Sequence, residues 1–291
     1  MNRPTLILLV GIPGSGKSTY AENYISEYPK TPVHLSSDKI REELYGNESI
    51  QGNPAEVFAL MQKRAVEALN EGHDVLYDAT NVTRKDRSSI IGICPKFAKI
   101  EAHIIWAPIE ECIKRDSARD RTVGKEVIDR ILKRFQAPYY DEGIDDIKII
   151  RPNDFDVTKY FNECDLKMNI QHDNPHHTRN IEDHCFMSEV YLTKKCSNMD
   201  LMRAARIHDV GKPYVKAFID SKGNPCDTAH YYQHQCVGAW MSYGYTWIKP
   251  SVAWLISTHM DPFMNTKYYR GLPPFLKRDI DLLHEADVNA H

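Results

Sequence analysis

The sequence predicts an α/β half, with a parallel sheet flanked by helices, followed by an all-α half. Two observations predict it. The chain opens with an apolar run, residues 5–10, that leads into a glycine loop and a helical pattern. The second half scatters histidines and aspartates over segments with helical periodicity. At 291 residues the chain has room for two domains of ordinary size. A polar stretch with two prolines, expected as a linker around 152–168, separates them. The expected domains are 1–155 and 165–291.

Bulk properties exclude several classes. Hydrophobic content of 42% and charged content of 26% are those of a globular protein. The net charge of −3 divides into −1 before Asn153 (22 basic, 23 acidic) and −2 from there on (15 basic, 17 acidic). Neither half is basic overall, so nucleic acid would be met by a local patch. The seven cysteines form no C-x-x-C pair, and an odd number argues against a disulfide framework. The longest apolar run, Leu6–Val10, is far too short to span a bilayer. No export signal is legible, so the expected location is cytoplasmic, without membrane partners.

Thr5–Val10 suits a buried parallel strand. Gly11–Ser18 then matches G-x-x-x-x-G-K-[ST] in full, between a strand and a helix. Glycines there let backbone N–H groups curl around phosphate oxygens, and the helix N-terminus adds positive potential. Gly14, Ser15, Gly16, Lys17, Ser18 and Thr19 are therefore the expected nucleotide contacts. Lys17 should reach the outer phosphates of ATP, and Ser18 should ligate Mg²⁺. Val33 and Leu35 read as the end of a second strand, with Asp38 just past it. Asp38 is either a general base for an attacking hydroxyl or a plain helix N-cap. Arg41 follows one turn later and suits a substrate phosphate. A third strand, Val75–Tyr77, ends in Asp78, the expected magnesium-side carboxylate. Arg87 reads equally as a site residue or as part of a turn. A fourth strand runs through Ile105 and Trp106, and a helix with Arg115, Arg119 and Arg121 follows. At least one should be a lid arginine, although interleaved Glu110, Glu111, Asp116 and Asp120 also fit a solvated, salt-bridged helix. Ile147–Ile150 is the fifth strand.

Residues 1–150 resemble the kinase domain of phage-type 5′-OH polynucleotide kinases. The "PGSGKST" loop, the "S-D-x-x-R" segment, "D-A-T-N" and the "K-R-D-S-x-R" lid carry the resemblance. It implies that Asp38 is the general base, that Arg41 binds the substrate's 3′ phosphate, and that Arg119, beside Arg115, contacts nucleotide phosphates.

In the second half, His184, His208 with Asp209, His230 and His234, His259, and Asp287 follow one another on predicted helices or helix ends. Imidazole plus carboxylate suits Mn²⁺, Fe²⁺, Co²⁺, Ni²⁺ or Zn²⁺. His208 and Asp209 are adjacent, so one helix end can serve two metals if the carboxylate bridges. His176 and His177 are rivals to His184, and His230 is a rival to His234. Tyr231, Tyr232, Trp240 and Tyr268 are either base-stacking or core aromatics.

This pattern resembles the HD metal-dependent phosphohydrolase superfamily over about 170–291, through "NPHHTRNIEDH", "HDVGKP", "HQCVGA" and "EADVNA". The resemblance implies one metal on His184, His208, Asp209 and Asp287. It implies a second on His234 and His259 with Asp209 as bridge, and Lys212 near the scissile phosphate. As a whole the chain resembles a polynucleotide kinase–phosphatase. That implies single-stranded or nicked nucleic-acid ends, RNA favoured, carrying a 5′-OH and a 3′-phosphate or 2′,3′-cyclic phosphate. A separate ligase would act downstream, in the host cytoplasm if the chain is phage-encoded. The competing expectations are a small-metabolite or nucleoside kinase fused to an HD nucleotidase, and a nucleotide-binding sensor with a degenerate second site.

Overall fold

The computed structural model describes residues 3–28, 30–119, 121–174 and 178–290. The chain divides into two compact units. One runs up to Ile131 and takes in Pro138–Asn153; the other holds Leu132–Ala137 and the chain from Asp154 on. Among the described residues no helix is long and apolar enough to cross a membrane.

The first unit is built on five parallel strands. They are β1 (Thr5–Val10), β2 (Val33–Ser36), β3 (Val75–Asp78), β4 (Lys99–Ile105) and β5 (Asp146–Ile150), in the order β2-β3-β1-β4-β5. Parallel neighbours need crossovers, and helices supply them. These are α1 (Lys17–Glu27), α2 (Ser37–Tyr45), α3 (Pro54–Asn70), α4 (Arg84–Ile91), α5 (Ile109–Ser117) and α6 (Lys125–Leu132). Burial on both faces explains why β1 is a continuous apolar run and not an alternating one; Leu6–Val10 are all buried. From β1 the chain crosses to β2 on one side, and β4 lies on the other. The order thus reverses at β1, and such a switch point opens a crevice beyond the strands' carboxyl ends. Register sets Leu9 beside Asp78 and His103 there.

Arg87, read equally as site or turn, is a structural tie. Its side chain is fully buried. It grips Glu142 with two charge-assisted bonds, Nε to Oε2 at 2.8 Å and Nη2 to Oε1 at 2.7 Å. Its Nη1 donates to the Asn81 carbonyl at 2.9 Å. Thr83 and Asp86 form a capping box that starts α4 and aims Arg87 inward.

The second unit contains α7 (Val157–Met168), α8 (Ile181–Thr193), α9 (Met199–Ile207), α10 (Lys212–Val215), α11 (His234–Ser242), α12 (Pro250–Thr258), α13 (Asp261–Met264), α14 (Lys267–Gly271) and α15 (Pro274–Val288). It departs from the all-α expectation by an antiparallel hairpin, β6 (Ala217–Ile219) and β7 (Pro225–His230). The reason is local turn chemistry. Asp220 Oδ1 accepts from the N–H groups of Lys222 and Asn224, each at 2.8 Å, and Gly223 takes φ 87°. The stretch read as a linker also folds: α7 is capped by Asp156, and Tyr160 donates to the Met241 carbonyl at 2.8 Å. Leu132–Ala137 belongs to this unit because Phe135 packs edge-on against Trp240 and Tyr243. Its Ala137 N–H donates to Ser257 Oγ at 3.3 Å.

Replacing Arg87 by Ala would leave Glu142 buried without its fork. A loss of about 3–5 kcal/mol is expected. Arg87→Lys should recover only part of it, because an ammonium lacks the bidentate geometry. Urea denaturation followed by circular dichroism measures both, and an unchanged midpoint in Arg87→Ala would contradict the assignment.

Candidate functional site

The glycine loop lies between β1 and α1. Gly14 and Gly16 take φ 78° and 101°, conformations that disfavour a side chain. A Cβ on Gly14 would also collide with the Cys112 carbonyl of α5. No acidic residue lies in the first turn of α1, so its N-terminal N–H groups keep their positive field. Lys17 Nζ folds back to donate to the carbonyls of Gly11 (2.9 Å) and Ile12 (3.0 Å). Burial lowers its pKa, while the charge of Asp78 opposes the shift. The Ser15 hydroxyl is buried without a hydrogen-bond partner and is a donor ready for an anion.

Asp78 closes β3 and is buried, with Oδ2 3.4 Å from His34 Nε2. His34 was not anticipated: it lies on β2, two residues before Ser36, the register partner of Asp78, and no motif marks it. Asp38 is not the helix cap; Ser36 holds that position in α2. The half-exposed Asp38 carboxylate instead takes Arg41 Nη1 at 2.7 Å and faces Arg121 Nη1 at 3.8 Å. Arg115 pairs with Glu111 at 2.9 Å, and its Nη1 lies 3.7 Å from where a Cβ on Gly16 would stand. Arg119 is near enough to Lys17 for its charge to lower the lysine's pKa. Asp116 is not part of a solvated run. It is buried and accepts from the N–H groups of Val123 (3.1 Å) and Gly124 (2.9 Å), so it holds the turn after α5. Asp120 lies outside the described residues.

In the second unit five helices or helix ends point toward one centre. His184 comes from α8, His208 and Asp209 from the end of α9, His234 from the start of α11, His259 from the end of α12, and Asp287 from α15. They form two donor groups, His184–His208–Asp209–Asp287 and Asp209–His234–His259. Within each group the ligand atoms lie within 4.8 Å of one another. Asp209 belongs to both. Its Oδ1 faces His234 Nε2 at 3.2 Å, and its Oδ2 faces His208 Nε2 at 3.5 Å and His184 Nε2 at 3.7 Å. Asp287 Oδ1 lies 2.8 Å from His184 Nε2 and 3.4 Å from His208 Nε2. Gly211 permits the approach of α9 to α11, since a Cβ there would strike the His234 carbonyl.

The donor chemistry fits a cation. Three rings donate Nδ1–H to a carbonyl three residues back: His208 to Ala205 (2.8 Å), His234 to Tyr231 (2.9 Å) and His259 to Ile256 (2.7 Å). That tautomer turns each Nε2 lone pair inward. His234 and His259 then face each other, Nε2 to Nε2, at 3.1 Å, which two lone pairs tolerate only with a cation or a proton between them. His208 Nε2 and Asp209 Oδ2 are buried without a well-formed hydrogen bond. Burial raises the Asp209 pKa, but the Lys212 and His208 charges overcome this and hold it well below the usual range. The same balance, with the His184 and His208 hydrogen bonds opposing burial, keeps Asp287 ionised.

Lys212 Nζ reaches Asp209 Oδ2 at 2.6 Å. His172, which sequence reasoning missed, completes this edge. It is buried, with Nε2 3.3 Å from Lys212 Nζ and 3.9 Å from Asp209 Oδ2, and Nδ1 3.0 Å from the Arg179 carbonyl. It lies in a loop before α8, where no periodicity marks it. The Tyr231 hydroxyl donates to the His172 carbonyl. The rival His230 sits on β7, stacked on Tyr232 at 5.3 Å, and is in neither donor group. His176 and His177 lie outside the described residues. Trp240 is buried, and the Tyr268 hydroxyl accepts the Trp254 indole N–H at 2.9 Å; both are framework aromatics.

Residues 6–138 match the family model described as an AAA domain. A stretch of 145 residues, 47% of this chain, is 27% identical to the transcription factor bHLH140 of Arabidopsis thaliana; the chain spans only 15% of that relative. A chain of the Pnkp1/Rnl/Hen1 RNA repair complex is similar over 45% of this chain and 43% of its own, at 24% identity and TM-score 0.41. A gluconokinase from Sinorhizobium meliloti 1021 is similar over 53% and 86%, at 15% identity and TM-score 0.38. The glycine loop and the parallel sheet give the first half a P-loop kinase-like fold.

The donor cluster generates a pH prediction. Burial above all pushes the His259 pKa down to about 3. A ring that titrates near ~6.5 when unfolded then contributes stability above that pH, lost as pH falls toward the folded value. In chelator-treated protein, His259→Gln removes this contribution. His208, whose shift is upward, is present in both proteins. The stability of wild type minus that of the variant should therefore fall as pH falls from about 7 to about 4. A difference that rises in denaturant titrations would contradict the buried, neutral ring.

Proposed function

We propose that this chain heals broken nucleic-acid ends, phosphorylating a 5′-OH with ATP and removing a 3′-phosphate or 2′,3′-cyclic phosphate. The kinase domain would be 1–155 and the phosphohydrolase domain, of HD type, 165–291. The observation that carries the reading is the sharing of Asp209 between two donor groups, beside Lys212, on a chain that also holds a glycine loop. Adding and removing phosphate on one position of one molecule would be futile. On the two ends of a break the reactions are complementary, and the products are the ends a separate ligase requires.

At the kinase site Asp38 takes the proton of the 5′-hydroxyl as that oxygen bonds to the γ-phosphorus and the bond to ADP's leaving oxygen breaks. Arg41, already 2.7 Å from Asp38, orients the base and receives the substrate's 3′ phosphate. Lys17 leaves the Gly11 and Ile12 carbonyls for the outer phosphates, and Gly14, Ser15, Gly16 and Thr19 line their path. Arg115 and Arg119 spread over the transferring group's charge. Ser18 and Asp78 would hold Mg²⁺, which neutralises the phosphate oxygens.

At the second site His184, His208, Asp209 and Asp287 would hold one divalent metal, and His234, His259 and Asp209 another. Such metals supply Lewis-acid activation of water and of a phosphate oxygen. The Nδ1 bonds to backbone carbonyls keep the three anchored rings aimed. Lys212 offers its ammonium to the phosphate as water's oxygen joins phosphorus, the P–O bond to the 3′-oxygen breaks, and that oxygen leaves with one of water's protons. His172 accepts from Lys212 and fixes where that ammonium points.

The test uses single-stranded RNA with a 5′-OH and a 3′-phosphate, supplied with ATP, Mg²⁺ and Mn²⁺, each end followed separately. Wild type should convert both ends, Lys17→Ala only the 3′ end, and Asp209→Ala only the 5′ end. Phosphorylation of free nucleosides with both RNA ends untouched would replace this reading by a metabolite kinase. His172→Ala should lower 3′-end turnover about 10–100-fold, with metal content by mass spectrometry and 5′ phosphorylation unchanged. Loss of metal in that variant would make His172 a ligand instead.

A further inference from the structure

The connection between the last imidazole and the last carboxylate of the donor cluster has features that the cluster does not need. It leaves α12 at His259 and ends in α15, which carries Asp287. It is firmly built. Asn265 closes α13 in the left-handed conformation, Thr266 caps α14 through the Tyr269 N–H at 3.1 Å, and Pro273 and Pro274 begin α15. Lys277 Nζ ties back to the Arg270 carbonyl at 2.8 Å.

This rigid segment nonetheless leaves two phenylalanines in solvent: Phe263 is 75% exposed and Phe275 69%. Met264 beside them is 46% exposed. Between Pro262 and Arg278 the chain has four basic residues and no acidic one, in a protein of net charge −3. Acids border this run without entering it: Asp261 opens α13, Asp279 is partly buried and bonded to Asn198 Nδ2 at 3.3 Å, and Asp281 accepts the Tyr269 hydroxyl of α14. Exposed large apolar side chains on an ordered frame mark a contact surface. Aromatic faces interleaved with cations suit a chain of stacked bases joined by phosphates. The patch starts four residues after His259, a reach of at most about 14 Å along the backbone.

We infer that the α13–α14–α15 surface, with Phe263 and Phe275 as stacking platforms and Lys267 and Arg278 as phosphate contacts, docks the single-stranded nucleic acid whose 3′ end enters the second site. The inference rests on the proposed 3′-end activity and adds where the strand beyond the reacting end is held. A mononucleotide would not reach this surface; an oligonucleotide would.

The experiment compares the full chain with Phe263→Ala/Phe275→Ala and Lys267→Glu/Arg278→Glu. All four positions are exposed, and unchanged circular dichroism and an unchanged thermal melt report intact folding of the helical unit. Each variant is assayed on a single-stranded 3′-phosphorylated oligoribonucleotide and on a nucleoside 3′-monophosphate. The aromatic variant should raise KM for the oligonucleotide about tenfold or more, with kcat/KM for the mononucleotide unchanged. The charge variant should do the same and flatten the dependence of oligonucleotide KM on salt. Equal effects on both substrates, or none on either, would overturn the inference. So would a dimer that the aromatic variant converts to monomer with no change in oligonucleotide KM, since the occupant would then be a second copy. If wild type hydrolyses neither substrate, the proposed activity fails by itself. Fluorescence anisotropy with a labelled oligonucleotide then decides the surface: weakened binding in both variants keeps it, and unchanged binding removes it.

Discussion

A carboxylate cut off from water, Asp209, organises the helical unit. It is 1% exposed, and an isolated charge at that depth would be intolerable. Every element around it answers that cost. Lys212 follows one turn later, His208 precedes it directly, and α8, α11, α12 and α15 each aim a donor at it or beside it. The rings cannot turn away, because their other nitrogens are tied to backbone carbonyls. The approach of α9 to α11 needs Gly211 for the same reason: a side chain there would move His234 off Oδ1. Packing and chemistry in this unit are therefore one constraint, met by one arrangement of helices.

The α/β unit solves a different problem. Its site is made chiefly of backbone, so what must be specified is the path of one loop. Left-handed Gly14 and Gly16 give the loop its curl, and the close passage of α5 excludes any larger residue at Gly14. Charged side chains around it are held in pairs: Asp38 with Arg41 and Arg115 with Glu111. Paired charges at a partly exposed site are weakly bound to each other, so they can exchange partners when a polyanion arrives. The buried Arg87–Glu142 fork, by contrast, has no such freedom and serves the fold.

This difference explains what was legible. All five strands of the sheet could be read: the glycine loop locates β1, a continuous apolar run buried on both faces, and shorter apolar runs mark the others, including the partly buried edge strands β2 and β5. The donor cluster was legible through order and helical position, with its rivals left open. His230 and His234 lie four residues apart, and only the hairpin, which carries His230 away on β7, separates them. That hairpin was missed although Asp220, Gly223 and Asn224 carry its turn signal. The helical reading of the surrounding histidines had absorbed the segment. His172 was invisible for a better reason: a buried loop histidine has no period to betray it, and its importance comes from Lys212, forty residues away. Phe135 and its neighbours follow a helix of the α/β half in sequence but pack with Trp240. No local pattern announces a partner a hundred residues distant.

The two sites also differ in how sequence change reaches them. The glycine loop gathers its function within eight consecutive residues, so a substitution elsewhere leaves its geometry to the one sheet edge that supports it. The donor cluster draws on His184 and on Asp287, 103 positions apart, and three helix ends between them. It exists only when the whole helical unit is folded, and the facing lone pairs of His234 and His259 mean that the folded unit without a cation stores repulsion at its centre. Fold and occupancy are thus coupled there: what binds between those rings relieves a cost that the helices impose, and binding energy becomes folding energy.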